Sequence, residues 1–534
     1  MTEPAKKENF IDRAIGYFDP VRQARRQRAR NFMALTGAYT AALTSRRTLQ
    51  SWATIPQDAD SALLPDLQTL RERSRDIVRN NPIGTGAINT AVTNVVGTGM
   101  KLQARPDREI LKLTDEQADL WEKNIEREFA MWAEEPAYCD IRKTLNFADI
   151  QELVFRQTLE NGDCITVMNR EKEKGFPYTL RLQTIEADRV CNKDFAKDTK
   201  TLQGGVEKNE QGAPTNYHIM DQHPGNWIYR DGYTWSVVPA FGDKTGLRNV
   251  IHNYRTLRPG QTRGVPYLTP VIETLKQLGR YTEAELMGTV VAALFTVFIK
   301  TDLGTPVLGP MAGDAAVSGA VGSGDTDIKL GNGALIGLRP GESIETADPK
   351  RPNTAFDPFI KAVLEQVGVA LEIPFEILIG HFSASYSASR AALLEAWRFF
   401  RGRRRWLANS FCKVVYENFL YEGVTLGRIS APGFFADPIL RKAYCGAIWI
   451  GDAPSQIDPL KEVDAAEKRL SLCLSTRDEE TVALTGGDFE ANFPRIKKEK
   501  EMLEGIGIDF QKKNPAPFQQ PAKGVENENL SENA

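Results

Sequence analysis

The stretch 268–298 reads LTPVIETLKQLGRYTEAELMGTVVAALFTVF, with Leu268, Val271, Ile272, Leu275 and Leu278 followed by Val291, Leu294, Phe295 and Phe298. Steps of three and four along the apolar positions predict one long helix with a single greasy stripe. Unbroken, it would run about 45 Å at about 1.5 Å per residue, well beyond the usual globular helix. A second run, Phe356, Phe359, Ile360, Val363, Leu364, Val367 and Leu371, repeats at the same spacing until Pro374 stops it. A helix pair is therefore expected. Between the two, residues 301–355 hold ten glycines and no aromatic side chain, too little apolar bulk for a sizeable core, which predicts a small turn-rich excursion at the far end of the pair.

Outward from this pair the pattern changes. Residues 63–96 and 114–132 carry helical spacing, while 163–169, 178–185 and 226–238 are rich in β-branched and aromatic residues and read as strands, with Asp231-Gly232 as a hairpin turn. The first 260 residues are thus α+β. Downstream, His381-Phe382-Ser383-Ala384-Ser385-Tyr386-Ser387-Ala388 precedes a third long helical pattern over 390–421, and the last hundred residues are mainly helical until a polar, Pro- and Gln-containing tail from 512. Five arginines fall between Arg22 and Arg30, an exposed basic helix for which solvation is a sufficient reason.

Composition narrows the function. With 534 residues the chain exceeds what one core usually supports. Lys and Arg total 67 against 70 Asp and Glu, a net charge of -3, which excludes tight nucleic-acid binding over the whole surface and leaves any such contact local or weak. The six cysteines never form a C-x-x-C pair and read as separate reduced thiols. Residues 1–9 lack an apolar core, so no secretory leader is expected; the most apolar stretch, 286–299, is 14 residues long, short of the roughly 20 that a bilayer needs. No membrane association is expected.

Catalytic signatures are missing. No glycine precedes a lysine, so the phosphate loop of an ATP-driven motor is missing, and neither H-E-x-x-H nor G-x-S-x-G occurs. His218 and His223 read as ordinary surface histidines, and no metal site or cofactor is expected. A nuclease-like enzyme remains the alternative, since paired carboxylates reveal themselves only in space; a structural scaffold of packed helices is the other.

Several strings resemble the lambda-type portal family of tailed bacteriophages, over about residues 60–470. They are Arg79-Asn80-Asn81-Pro82 with Ala87-Ile88-Asn89-Thr90 and Asn94-Val-Val-Gly-Thr-Gly99; Ile185-Glu-Ala-Asp-Arg-Val190; Arg258-Pro-Gly-Gln-Thr-Arg-Gly-Val-Pro266; Tyr386-Ser-Ala-Ser-Arg390; and Trp449 with Asp458-Pro-Leu-Lys-Glu462. The resemblance implies an α+β, mainly α portal fold: a basic N-terminal segment (1–60), a wing (61–265), a first stem helix (266–300), a clip (301–355), a second stem helix (356–374), a tunnel loop (375–389), a long kinked wing helix (390–425), a C-terminal crown region (426–510) and a disordered tail (511–534). It also implies a closed ring of about twelve subunits at one capsid vertex, assembled in the bacterial cytoplasm. Through its axial channel double-stranded DNA would be packaged and ejected. The implied partners are the terminase large subunit, the major capsid and scaffold proteins, and the head-completion or tail connector proteins. Within that picture His381, Phe382, Ser383, Ser385, Tyr386 and Ser387 would line the tunnel, presenting hydroxyls but no Lys or Arg to phosphates. Arg398, Arg401, Arg403, Arg404 and Arg405, interleaved with aromatics on one helix, would serve subunit contacts or, alternatively, the channel.

Overall fold

The computed structural model describes residues 54–226, 232–293, 297–301, 342–346, 356–381, 385–454 and 459–505, together with positions 17, 21, 47, 48, 51 and 52. The chain divides into two compact units, Met1–Ser61 and Ala62–Ala534. The second is mainly helical with several small antiparallel sheets.

Helix α1 (Ala59–Asn80) gives way to α2 (Pro82–Val95) at a break the residues themselves dictate: Asn81 accepts from the amides of Ile83 and Gly84, and Pro82 opens the second helix, where its missing N–H costs nothing. Strand β1 (Lys101–Ala104) comes next, then α3 (Asp115–Glu134), started by a Thr114–Gln117 capping box, and α4 (Phe147–Asn161), started by an Asn146–Asp149 box.

The chain next builds β2 (Asp163–Arg170) and β3 (Leu180–Ile185), then β4 (Leu202–Gln203), β5 (Val206–Lys208), β6 (Pro214–Met220), β7 (Trp235–Pro239) and β8 (Val250–Tyr254). Strands β3-β2-β8 form one antiparallel sheet and β4-β5-β6-β7 another. Strand β2 is the partition of the molecule. Because successive side chains alternate, Cys164 and Met168 face the large helical core while Ile165 and Val167 face a smaller core with Ile185, Val206, Tyr217 and Ile219.

Helix α5 (Ile272–Ala293) is preceded by a short tight turn, Thr269–Val271, and α6 (Phe356–Leu371) ends before Pro374. The first of these differs from the sequence reading. Instead of running helically to Phe298, residues Val297–Thr301 form strand β9, paired antiparallel with β10 (Glu342–Thr346). A Val-Phe-Ile run of β-branched and aromatic residues fits a strand as well as a helical stripe, and pairing with the returning chain decides it. The remainder of 301–355 lies outside the described residues, as do Asp231 of the expected hairpin, most of 1–60 and the tail from 506.

After the five-residue helix α7 (Phe375–Ile379) comes α8 (Tyr386–Leu407), which continues through a π-helical turn at Ala408–Cys412 into α9 (Lys413–Thr425). The wider turn is pinned from the side, where the Asn253 amide on β8 donates to Ser410 Oγ at 2.8 Å. Beyond it lie helix α10 (Pro438–Tyr444) and strand β11 (Ala447–Ile450); β11 pairs with β1, Leu102 opposite Trp449. Helices α11 (Pro459–Ser471), α12 (Arg477–Thr485) and α13 (Phe489–Gly505) close the described chain. Among the described residues no helix is long and apolar enough to cross a membrane.

One aromatic hub holds distant segments together. The Phe129 ring lies 5.2–6.0 Å from the rings of Trp132, Phe147, Tyr416, Phe419 and Trp449, and each of these but Trp449 is fully or almost fully buried. Burying a side chain of this size contributes about 1.5–3 kcal/mol, and here four separate elements share the gain.

Candidate functional site

Three regions gather the residues singled out by sequence. The first is the helix pair. Tyr281 of α5 stacks on Phe356 at 5.6 Å and meets Phe359 edge-on at 5.2 Å, so the two helices touch along this flank. The pair also presents apolar side chains outward: Leu286, Met287 and Val290 on α5 are 65%, 57% and 46% exposed, Val369 on α6 is 82% exposed, and Phe359, despite its contact with Tyr281, is 52% exposed. Asn81, within the Arg79-Asn-Asn-Pro82 string, donates to Leu275 O at 3.1 Å and ties the base of α5 to the body. The linker beyond α6 begins with α7 and an exposed His381, whose amide donates to Glu376 O; Ser385 then caps α8 by accepting from the Ala388 amide. Phe382 and Ser383 lie outside the described residues; Tyr386 and Ser387 are placed in the first turn of α8.

The arginines of α8 do not act as one face. Arg398, Arg401 and Arg405 are exposed, whereas Arg403 is only 9% exposed and Arg404 is partly buried. All three Arg404 guanidinium nitrogens donate to main-chain carbonyls, to Val95 O at 2.9 Å, Asn94 O at 2.9 Å and Asp452 O at 2.8 Å. Two of those carbonyls belong to the last turn of α2, where a helix has no amide of its own to offer them, and the cation also suits the negative end of that helix. Arg404→Ala is expected to lower stability by about 2–3 kcal/mol, read as the thermal midpoint, and Arg404→Lys to recover little, because one ammonium cannot span three carbonyls.

The third region escaped the sequence reading. Asp163, fully buried at the start of β2, accepts from Arg71 Nη2 at 2.6 Å, from Arg263 Nε at 2.5 Å and lies 3.1 Å from His252 Nε2. Arg263 also donates to Val190 O, Gly204 O and Ala187 O, and Arg71 to Asn161 O and Asp188. Asp188 in turn pairs with Arg75 and His223. Burial alone would push the Asp163 carboxyl up; the Arg263 and Arg71 guanidiniums and the His252 hydrogen bond outweigh it and hold the carboxyl well below the usual range. Two of the strings that carry the family resemblance therefore meet here, through Asp188 and Arg263. The signal was present in the sequence: Arg71 stands in the apolar stripe of α1, between Leu67 and Ser74, both buried.

The histidines also differ from expectation. His218 is buried on β6 and His223 reaches Asp188 at 3.2 Å, so neither is a plain surface residue. Burial pushes the Cys139 and Cys445 thiols up to about 12, away from nucleophilic use. Among the described residues Asp119, Glu122 and Glu490 bring carboxylate oxygens within 4.8 Å of one another. Arg105 and Arg108 already stand among them, at 3.1 Å from Glu490, 2.9 Å from Asp119 and 3.4 Å from Glu122, and supply the positive charge a cation would bring.

The family model of phage portal proteins of the lambda family matches residues 45–404, more than half of the chain. The portal protein of Escherichia phage N15 is 26% identical over 480 residues, covering 86% of this chain and 89% of that protein. Portal protein B of Escherichia phage lambda is 25% identical over 477 residues, with 86% and 88% covered. A solved chain from the neck of a native GTA particle, computed with C12 symmetry, covers 82% of this chain and 98% of its own at 13% identity and a TM-score of 0.42, too remote to add weight. By the extent of the family match and the near-complete alignment with these relatives, the chain belongs to the lambda family of phage portal proteins.

Proposed function

We propose that this portal protein acts as one subunit of a closed ring of about twelve, set at a single vertex of the virion, whose axial channel passes double-stranded DNA during packaging and ejection. The observation that carries the reading is the α5–α6 pair with its outward apolar side chains. Five large hydrophobic side chains on two adjacent helices, 46% to 82% exposed, are an unfavourable surface for an isolated protomer and a natural seam between neighbours packed around an axis.

In this reading α5 and α6 are the stem, β9 and β10 lead into and out of the clip, and the sheets with α1–α4, α8 and α9 are the wing. The π-helical turn at Ala408–Cys412 is the bend of the long wing helix. Strand β11 completes a sheet of the body, so the crown is formed by α11–α13. The clip is the docking platform for the terminase large subunit and, after filling, for head-completion or tail connector proteins; capsid and scaffold proteins receive the wing. Assembly takes place in the host cytoplasm. The protein works by geometry and has no catalytic step.

The linker 375–389 is the tunnel loop, and its hydroxyl and small side chains touch phosphates without gripping them. Electron microscopy of purified protein is expected to show closed rings with an axial hole. Monomers that persist at high concentration would overturn the ring. Deleting 379–388 is expected to leave rings intact and abolish DNA filling; normal filling would overturn the loop assignment.

A further inference from the structure

The guanidinium of Arg403 is the one in the arginine helix whose surroundings are unfinished. It lies 4.7 Å from the Phe399 ring and 5.8 Å from the Tyr267 ring, and those two rings are themselves stacked at 6.2 Å. With 9% of its surface exposed, it has given up most of its water. Yet among the described residues no oxygen accepts a hydrogen bond from it; the nearest carboxylate, Glu372 Oε1, stands 3.9 Å away on a side chain that is 62% exposed. Burial, with the neighbouring positive charge of Arg255, pushes Arg403 down to about 10. A mostly desolvated cation stacked on aromatics, with no protein acceptor among the described residues and its nitrogens still open to solvent, is a site that an acceptor from outside can reach and complete. It is the expected free form of a site whose acceptor comes from outside.

We propose that Arg403 is an anion seat that receives an aspartate or glutamate carboxylate from a second copy of this chain. The inference rests on the ring reading and deepens it. Two observations favour a protein carboxylate over a DNA phosphate. The guanidinium is recessed between rings, where a carboxylate on a side chain enters more readily than a duplex backbone. Val369, 82% exposed, stands in the last turn of α6, three residues before Glu372, and an exposed apolar side chain close in sequence to a charged group is the composition of a protein interface. Function points the same way, because a nearly dry guanidinium would hold a phosphate tightly and impede sliding.

Glu372 holds the place until the partner arrives. It occupies the left-handed region, φ 55°, at the end of α6 where glycine is usual. It is close enough to screen Arg403 and too far to hydrogen-bond it.

The test uses full-length protein carrying Arg403→Lys, prepared as an equal mixture of 15N-labelled and unlabelled chains, assembled and treated with a water-soluble carbodiimide. This reagent removes water between an amine and a carboxyl group in contact and leaves an amide. The expected product is an amide from position 403 to an Asp or Glu of the other isotopic chain, found in the ring fraction. Arg403→Gln is expected to weaken association by at least about tenfold, the loss of one charged hydrogen-bonded contact. An amide only to Glu372 of the same chain overturns the proposal, as does Arg403→Gln protein that assembles normally but captures less DNA. Wild-type protein that never assembles overturns the ring reading, and this proposal with it; rings that carry only the intrachain amide overturn this proposal alone.

Discussion

Asp163→Asn is expected to cost about 3–5 kcal/mol, because it leaves Arg71 and Arg263 buried without the charge that compensates them. The two guanidiniums cannot retreat to water: their side chains are 5% and 2% exposed, and each is fastened to main-chain carbonyls on either side. The loss spreads to the joints of α1, β2, β8 and the 258–266 string, so soluble yield as well as the thermal midpoint should fall. The pH profile gives a second readout. A carboxyl held well below its unfolded value adds stability that is present above the unfolded pKa and lost as pH falls through the folded one. Wild-type protein should therefore show no loss from this group between neutrality and about pH 4, and lose it only below. The asparagine variant should be destabilised at neutral pH and lack this acid limb. A variant as stable as wild type at pH 7 would show that the cluster contributes nothing.

Gly264→Ala is the second large effect. A Cβ at that position would stand 1.9 Å from Gly162 O and 2.9 Å from Tyr254 Cβ, and one on Gly162, at φ +88°, would meet Gly264 O at 2.5 Å. Two backbones cross here with no room between them. Adding a methyl group must drive the 258–266 segment away from the end of α4, and with it Arg263 away from Asp163, at a cost of about 3 kcal/mol or more. Because both substitutions act on one cluster, the double variant Asp163→Asn/Gly264→Ala is expected to lose clearly less than the sum of the two. Strict additivity in denaturant midpoints would mean that the crossing does not position Arg263.

How much was legible in the sequence depends on the range of each signal. The apolar spacing of 268–293 and 356–371 is a local property, and the helices stand where it put them. The end of the first helix was misjudged because Leu294, Phe295 and Phe298 continue the stripe while Val297–Thr301 pair with residues more than forty positions away, and no local pattern carries that partner. The five arginines of α8 looked alike in sequence. Rotation of about 100° per residue sends Arg404 beneath α2 and Arg398 into solvent, and only packing says which. For the buried cluster the individual signs were legible, an arginine in an apolar stripe and an aspartate opening an apolar strand, but their convergence joins residues up to 192 positions apart, from Arg71 to Arg263.

Strand β1 waits for its partner during synthesis. Among the described residues Lys101–Ala104 pairs with Ala447–Ile450 alone, and Tyr416, Phe419 and Trp449 complete the ring hub around Phe129. At roughly 5–20 residues per second, the ribosome needs on the order of 20–70 s to deliver the second strand after the first. For that interval the nascent chain carries an open strand edge and a half-built aromatic core, and pairing over such a separation is intrinsically slow. A subunit becomes complete only when translation has passed Ile450, so chains cut short of that residue lack the last piece of the body as well as the helices beyond it.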